Sequence, residues 1–455
     1  MATVASGPVT KFGSVYVSDT EYDNTGTLYC IDEEPCSTEN KLKLGMVVLV
    51  NGRVTEEYFI GQPVKRVADK ITFEETVEGI VQSVASDGLS LVALGQIVHI
   101  DQRTIIDPSV PGQSIGNLVP GIDLIEVSGF VVGDGHILAT LIMKKETGTP
   151  HYEVQGSVKN HDAKAKTFEI GALVVDYSSA NTAEMPSPAS STWNNIVVHV
   201  RGDEWSQGEA SPYGARLTAT RVKSLGLGVE DIADAELEGF IIQADAPGDF
   251  VVNNLHVRAT ASTEFEGGTI DDLVVGAHVE IHGQVAGGIL QAEHVSFEGN
   301  IELESNVATI TPVSRTLTLV GLSEMTVRIS DETDIEGEGD LRRFEDIRVG
   351  DHLKIHGRPD GSDGLLAEEL ERSGPTAGIK LKGPVRSVLD PVVGIAGASI
   401  DTSGIADNGF TGSDGTVIGR TAFFQGLAVG HKVSLRGTWT GSGVNWTGAR
   451  RSGGD

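Results

Sequence analysis

The chain has 455 residues, and its 64 Asp and Glu against 34 Lys and Arg give a formal charge of −30. That excess argues against a nucleic-acid backbone as ligand, because phosphate binding needs clustered cations. It argues equally against an anionic membrane surface, and no apolar run approaches the roughly 18 residues that span a bilayer.

The 57 glycines follow no collagen period. They punctuate short apolar-polar-apolar segments rich in Val, Ile and Thr, the pattern of an all-β chain. The opening MATVASGPVTKFGSV has neither a basic segment nor an apolar core, so no leader is expected in it. Cys30 and Cys36 flank IDEEP, and Pro35 in a five-residue turn predicts a disulfide and an oxidising compartment. The rival reading is a pair of free thiols. A metal site there would need two further ligands.

In chain order, one unit recurs. An opening strand begins at Gly7–Phe12, Val77–Val84, Val154–Asn160, Leu237–Ala244, Leu303–Ile310 and Leu381–Val388. It carries an apolar residue two before a Gly, with Ser305 in the Gly place in the fifth copy. A middle strand follows in Gln96–Ile106, Leu255–Phe265 and Met325–Ile335. Next comes one polar turn and a fourth strand, clearest in IDDLVVGAHVEIHG (Ile270–Gly283), FEDIRVGDHLKIHG (Phe344–Gly357) and FQGLAVGHKVSLRG (Phe424–Gly437). Its turn glycines are Gly45, Gly276, Gly350 and Gly430. Its closing glycines are Gly52, Gly129, Gly202, Gly283, Gly357 and Gly437, separated by 77, 73, 81, 74 and 80 residues. A fifth strand starts at Ala139, Ala219, Ala292 and Ala367.

Three strands, a helical turn and two strands is the order of an OB-type barrel. The expected fold is six tandem five-stranded OB-like barrels, beads on a string, at residues 1–76, 77–150, 151–232, 233–300, 301–378 and 379–455. The third carries a Ser/Pro-rich insertion, Tyr177–Trp193, and a second loop, Glu204–Ala215. The sixth carries a Gly-rich insertion, Asp401–Thr416, and a tail expected to be disordered.

Candidate chemistry is sparse. Alternation puts His278, Glu280 and His282 on the face opposite Val279 and Ile281. With His294 from the next strand they are the candidate metal ligands. On one strand His278 and His282 sit about 13 Å apart at Cα, and the fifth copy has Lys354 in the place of Glu280, which favours a solvated outer face. The acidic runs Asp331–Asp340 and Asp360–Gly364 match no calcium-loop pattern and read as solvated hairpins. Arg201-Gly202-Asp203 ends a strand at a structural glycine. Trp439 and Trp446 flank a tight turn and are expected to stack across it. No nucleophile elbow, P-loop, dinucleotide fingerprint or zinc-protease motif occurs. The chain is therefore read as non-enzymatic, with no cofactor.

The frame of G-x-V, T-x-[IF], V-G-x-x-V-x-[VIL]-x-G and A-x-x-I resembles a bacterial repeat family known as a domain of unknown function. That family occurs in exported, often lipid-anchored proteins and looks like tandem OB-like small barrels. The resemblance implies export and an envelope or extracellular setting. It carries over no catalytic residue. The expected function is an extracytoplasmic structural or interaction protein, a scaffold or filament subunit with protein partners, with Met1–Gly7 as a strand donor. The rival is a ligand- or glycan-binding module acting through the loops of the third and sixth barrels.

Overall fold

In a computed structural model of the chain, the short alternating segments form strands: 62% of the residues are strand and 6% helix. The structure describes residues 1–18, 20–32, 35–56, 65–86, 88–101, 103–145, 151–186, 192–207, 214–227, 231–266, 268–297, 301–337, 342–359, 364–374, 376–395, 397–413, 415–427 and 431–451. The chain divides into two compact units. One is residues 1–263 with 281–294, the other residues 264–280 with 295–455.

The first repeat holds β1 (Ala2–Lys11), β2 (Val15–Val17), β3 (Thr20–Asp23), β4 (Leu28–Ile31), β5 (Val47–Glu56) and β6 (Lys65–Phe73). The second holds β7 (Val77–Val84), β8 (Ser90–Ala93), β9 (Gln96–His99), β10 (Ile105–Ile106), β11 (Leu124–Gly133) and β12 (His136–Lys144). Here the pairings run β7–β8–β9–β12–β11 and return to β7, a closed five-stranded barrel with β9 and β12 parallel. The same cyclic order recurs in the first repeat as β1–β2–β3–β6–β5.

The third repeat holds β13 (Tyr152–Ser157), β14 (Lys159–Asp162), β15 (Thr167–Ile170), β16 (Leu173–Asp176), β17 (Val197–Gln207) and β18 (Ala215–Ser224). Its pairings run β14–β15–β16–β18–β17–β13. The fourth holds β19 (Ile232–Ala246), β20 (Asp249–Val252), β21 (Leu255–Arg258), β22 (Glu264–Glu266), β23 (His278–Ala286) and β24 (Ile289–Phe297).

In the second unit, the fifth repeat holds β25 (Ile301–Thr311), β26 (Thr316–Leu319), β27 (Leu322–Gly337), β28 (His352–Pro359) and β29 (Gly364–Ser373). Its pairings again return to their start, β25–β26–β27–β29–β28. The sixth holds β30 (Gly378–Leu389), β31 (Val392–Ile395), β32 (Ala398–Asp401), β33 (Phe410–Thr411), the helix α1 (Gly419–Gln425), β34 (Lys432–Trp439) and β35 (Val444–Arg451). The polar turn before the fourth strand is a single helical turn at Ile115–Asn117, Ile270–Asp272 and Phe344–Asp346.

The glycine frame has a steric cause. At Gly52, Gly129, Gly202, Gly283 and Gly357 an added Cβ would fall inside the radius of a carbonyl oxygen on the next strand. At Gly437 it would lie 2.8 Å from Asn445 O. The register slips at Gly52, Gly129, Gly202, Gly357 and Gly437, the signature of a bulge that bends the hairpin around the barrel. Gly45, Gly276 and Gly350 serve a different need. Their φ values of +84°, +86° and +91° lie in the left-handed region, which a side chain disfavours. Gly430 lies outside the described residues. In the fifth repeat Ser305 replaces the opening Gly, and its hydroxyl donates to Val320 O at 2.7 Å.

The beads-on-a-string expectation needs correction. Opening strands pair with one another across repeats. β7 pairs antiparallel with β13, β25 antiparallel with β30, and β1 parallel with β19. The cores follow. Val77, Val81 and Ile125 share one apolar cluster with Val154, Phe168 and Trp193, and Leu303, Met325 and Leu353 share another with Leu381, Phe410 and Phe423. A barrel of this size buries little surface alone, and each fully buried aliphatic or aromatic side chain contributes about 1.5–3 kcal/mol. Sharing a core across an edge strand satisfies that strand's backbone and adds to the apolar burial at once. The N-terminal segment is no loose donor either. Ala2–Pro8 pairs with β5 on one side, and Thr3–Ser6 with β19 on the other.

Candidate functional site

Only three residues, Glu74, Glu75 and Thr76, separate β6 from β7. They are tied down on both sides. The Thr76 hydroxyl donates to Gly129 O at 3.0 Å, and Thr76 N–H donates to Val127 O at 2.9 Å. Gln155 N–H donates to Thr76 O at 2.8 Å, and its amide donates to Glu74 O at 3.2 Å and Glu75 O at 3.0 Å. The first three repeats therefore meet at this short link. The β7–β13 register sets Glu78 opposite Glu153, two like charges where a cross-strand pair is least favourable.

The link gathers a buried carboxylate cluster. Glu75 is fully buried, and Glu78, Glu126 and Glu153 are 5%, 4% and 2% exposed. Lys145, just past β12, enters among them. Its ammonium lies 2.7 Å from Glu78, 3.2 Å from Glu75 Oε1 and 3.2 Å from Glu126. Glu153 turns instead to His199 at 2.9 Å and Arg201 at 3.5 Å, while Lys223 pairs with Glu74.

Asp32 joins from the first repeat. It follows β4 in the turn closed by the Cys30–Cys36 disulfide. Tyr29 and Ser37 exchange backbone hydrogen bonds across the same turn, at 2.7 and 2.9 Å. Asp32 has φ +54°, a conformation Asp tolerates better than most residues, and its N–H donates to Phe73 O at 3.2 Å. Asp32, Glu75 and Glu126 each place a carboxylate oxygen within 4.8 Å of the others. Asp32 Oδ1 and Glu75 Oε2 are buried and meet no N–H or O–H donor.

The electrostatics follow from too many anions around one ammonium. Burial pushes Asp32 up to about 9, helped by the Glu75 carboxylate and by the hydrogen bond the two share when one is protonated. Burial also raises Glu126 to about 7, with Glu75 adding and Lys145 opposing. Glu78 is raised, again mainly by burial, despite Lys145. Glu153 moves the other way, because His199 and Arg201 outweigh its burial. Lys145 is burdened by burial, yet its carboxylates hold it protonated well above its usual value. The cluster is thus poised to hold an added positive charge.

The sequence-predicted candidates fall elsewhere. His278 and Glu280 are 2% and 6% exposed, so the solvated outer face expected of them is wrong. His352 and His356 in the fifth copy are buried too, at 1% and 3%. The reason is visible around His352. Its ring nitrogens reach Asn306 Oδ1 at 2.8 Å and Glu304 at 3.2 Å on the paired opening strand, so the far face of the fourth strand is covered. His282 and His294 are half-buried, and His282 brings a ring nitrogen within 4.8 Å of a Glu236 carboxylate oxygen. Glu293, beside His294, accepts from the Gln284 amide at 2.7 Å.

Other motifs resolve into packing. The insertion in the third repeat buries Tyr177, Met185 and Trp193. Trp193 stacks on His161 at 4.5 Å and donates its indole N–H to Pro186 O at 2.9 Å. Arg201 and Asp203 of the Arg-Gly-Asp tripeptide are engaged by Glu153 and His151. Trp446 sits opposite Gly437 and Trp439 opposite Val444, so the two rings are not the cross-strand pair expected. The acidic run at 360–363, part of that at 331–340, residues 187–191 and the tail 452–455 lie outside the described residues.

Residues 78–143, 238–296 and 306–371 match the family described as "Domain of unknown function (DUF5666)". Three segments of the chain thus match DUF5666, consistent with a repeat family of unknown function. Each DUF5666 match begins in an opening strand, β7, β19 or β25, and ends in a closing strand, β12, β24 or β29. The domain is thus the strand frame read from the glycines. Glu78 and Glu126 fall inside a DUF5666 match, while Asp32, Glu75, Lys145 and Glu153 lie outside all three. No curated protein matches the chain. No helix among the described residues is long and apolar enough to cross a membrane.

The carboxylate cluster escaped sequence reasoning because its members come from three repeats and share no spacing. The available signal was weak: charged residues at 74–75 and 144–145, near the seams between repeats.

Proposed function

We propose that this protein is a non-enzymatic structural and interaction protein of the cell envelope or extracellular space, a scaffold of six OB-like barrels with the boundaries read from the glycine frame. The observation that carries this reading is the use of opening strands as joints: β7 with β13, β25 with β30, β1 with β19. An edge that accepts a strand from another repeat is also the kind of edge that accepts one from another molecule. The disulfide supports an oxidising compartment, and the acidic surface supports solubility at high local concentration. The partners are protein, either further copies of the chain or an envelope component, and no cofactor is required. Size-exclusion chromatography with light scattering, followed by electron microscopy of concentrated samples, tests assembly. A strict monomer at millimolar concentration removes the filament form of the proposal. Fractionation of the native cells tests the compartment, and a cytoplasmic location would sink it.

A second reading, a glycan- or ligand-binding module, is favoured by one groove. A cavity of about 460 Å³ is lined by Glu324, Asp401, Ser403, Asn445 and Trp446, so the insertion of the sixth repeat takes part in it. A glycan array read against a chain lacking Ser403–Ser413 tests this. Undiminished binding after the deletion rejects the loop as the site.

A further inference from the structure

We propose that Asp32, Glu75 and Glu126 form a calcium site that ties the disulfide-closed turn of the first repeat to the link between the first and second. Three observations converge on it. The three carboxylates already place oxygens within 4.8 Å of one another, the span across which one ion with calcium–oxygen distances of 2.3–2.6 Å holds opposed ligands. Glu75 is fully buried and one of its oxygens, Oε2, meets no donor, as does Asp32 Oδ1; a buried acceptor left without a partner is costly. Lys145 takes only Oε1 of Glu75, so the two oxygens of that carboxylate are free to serve different cations.

Charge makes the same point. Glu75, Glu78 and Glu126 share the Lys145 ammonium, Asp32 adds a fourth carboxyl beside Glu75 and Glu126, and burying that imbalance without compensation is unfavourable. A proton shared by Asp32 and Glu75 removes one negative charge; a divalent ion removes two and satisfies both orphan oxygens. The donors are all oxygen, which suits calcium, magnesium or manganese and not zinc or copper. Calcium is favoured over magnesium because the ligands come from a loop, a linker and a strand, a set with no reason to be octahedral, and calcium accepts irregular geometry. The site goes beyond the scaffold reading and stands without it.

The test uses the full chain, stripped with chelator, and calorimetric titration with calcium chloride and, in parallel, magnesium chloride. About one calcium per chain is expected, with a Kd of roughly 10⁻⁴ M or tighter, as for extracellular modules, and a higher melting temperature when calcium is present. Asp32→Asn should weaken binding at least tenfold while the chelated variant keeps the wild-type circular dichroism. Glu75→Gln provides the second variant and should do the same. Absence of binding at 10 mM calcium overturns the site. So does binding that Asp32→Asn and Glu75→Gln both leave unchanged, since the ion would then sit elsewhere on the acidic surface. Equal affinity for magnesium overturns the calcium assignment.

Discussion

Two joints in this molecule are built from the same element and balanced in opposite ways. Where β25 meets β30, Glu302 is 4% exposed and lies between two lysines, Lys380 at 2.6 Å and Lys382. The register sets Glu302 against Lys382 and Glu304 against Lys380. Where β7 meets β13, the register sets Glu78 against Glu153, and Glu75, Glu78 and Glu126 crowd on Lys145. Glu302 is driven well below the usual carboxylate range by its lysines, which outweigh its burial. Asp32 and Glu126 are driven above it by burial and by the Glu75 carboxylate. The backbone of the joint fixes only where side chains meet. The charges placed there decide whether the joint is complete in itself or calls for a further cation.

The largest loss is expected at the complementary joint. Glu302→Ala strands two partly buried ammonium groups and should cost about 3 kcal/mol, read by denaturant unfolding at pH 7. Because the Glu302 pKa is depressed, its contribution is present above the ordinary carboxylate pKa and lost as pH falls below about 4. The gap between Glu302→Ala and wild type should therefore close in acid. A gap that does not shrink between pH 5 and pH 2 would assign the loss to packing.

At the acidic joint the sign reverses. The raised pKa values of Asp32 (about 9) and Glu126 (about 7) mean that the folded state binds protons the unfolded state has released. Their contribution is complete below the ordinary carboxylate pKa and lost as pH rises through 7 and then 9. Lys145→Met removes the one cation that limits this and, with the side chain partly exposed, should cost about 2–3 kcal/mol in chelator. The penalty should grow from pH 6 to pH 9. Thermal melts across that range check it, and a flat difference would show that Lys145 acts through packing.

Gly129→Ala and Gly357→Ala are the control that the two joints share. In each, the new Cβ meets a facing carbonyl, so each should lose about 2 kcal/mol with no dependence on pH. Unequal losses would mean that the bulge matters differently in the two units. The smallest effect separates the joints by sign: Glu78→Gln relieves crowding and should leave stability within about 1 kcal/mol, slightly raised at pH 8 in chelator, where the loss of a paired surface carboxylate would lower it.

Much of the architecture was legible because the barrel's demands are local. A Cβ cannot fit opposite the carbonyls that face Gly129 and Gly357, and a side chain is strained at the φ of Gly276 and Gly350. Glycine therefore had to recur at those places, and the repeat, its strand order and the helical turn before the fourth strand could be read from it. The burial of His278 and His352 was not legible. Alternation states that they leave the barrel interior, and only the neighbouring strands state what waits outside. The carboxylate cluster was less legible still, for Asp32, Glu75, Glu126 and Lys145 belong to separate segments.

Sequence alone carried the unit: its glycine positions, the all-β class and the turn between Cys30 and Cys36. Those follow from sterics and alternation within some seventy residues at a time. What only the tertiary structure decided is how the units join and which charges are thereby buried together. Joining uses backbone hydrogen bonds that every strand edge offers alike, so no residue pattern names the partner edge. Yet the choice of partner turned Glu302 into half of a balanced joint and Glu75 into a carboxylate with an oxygen to spare.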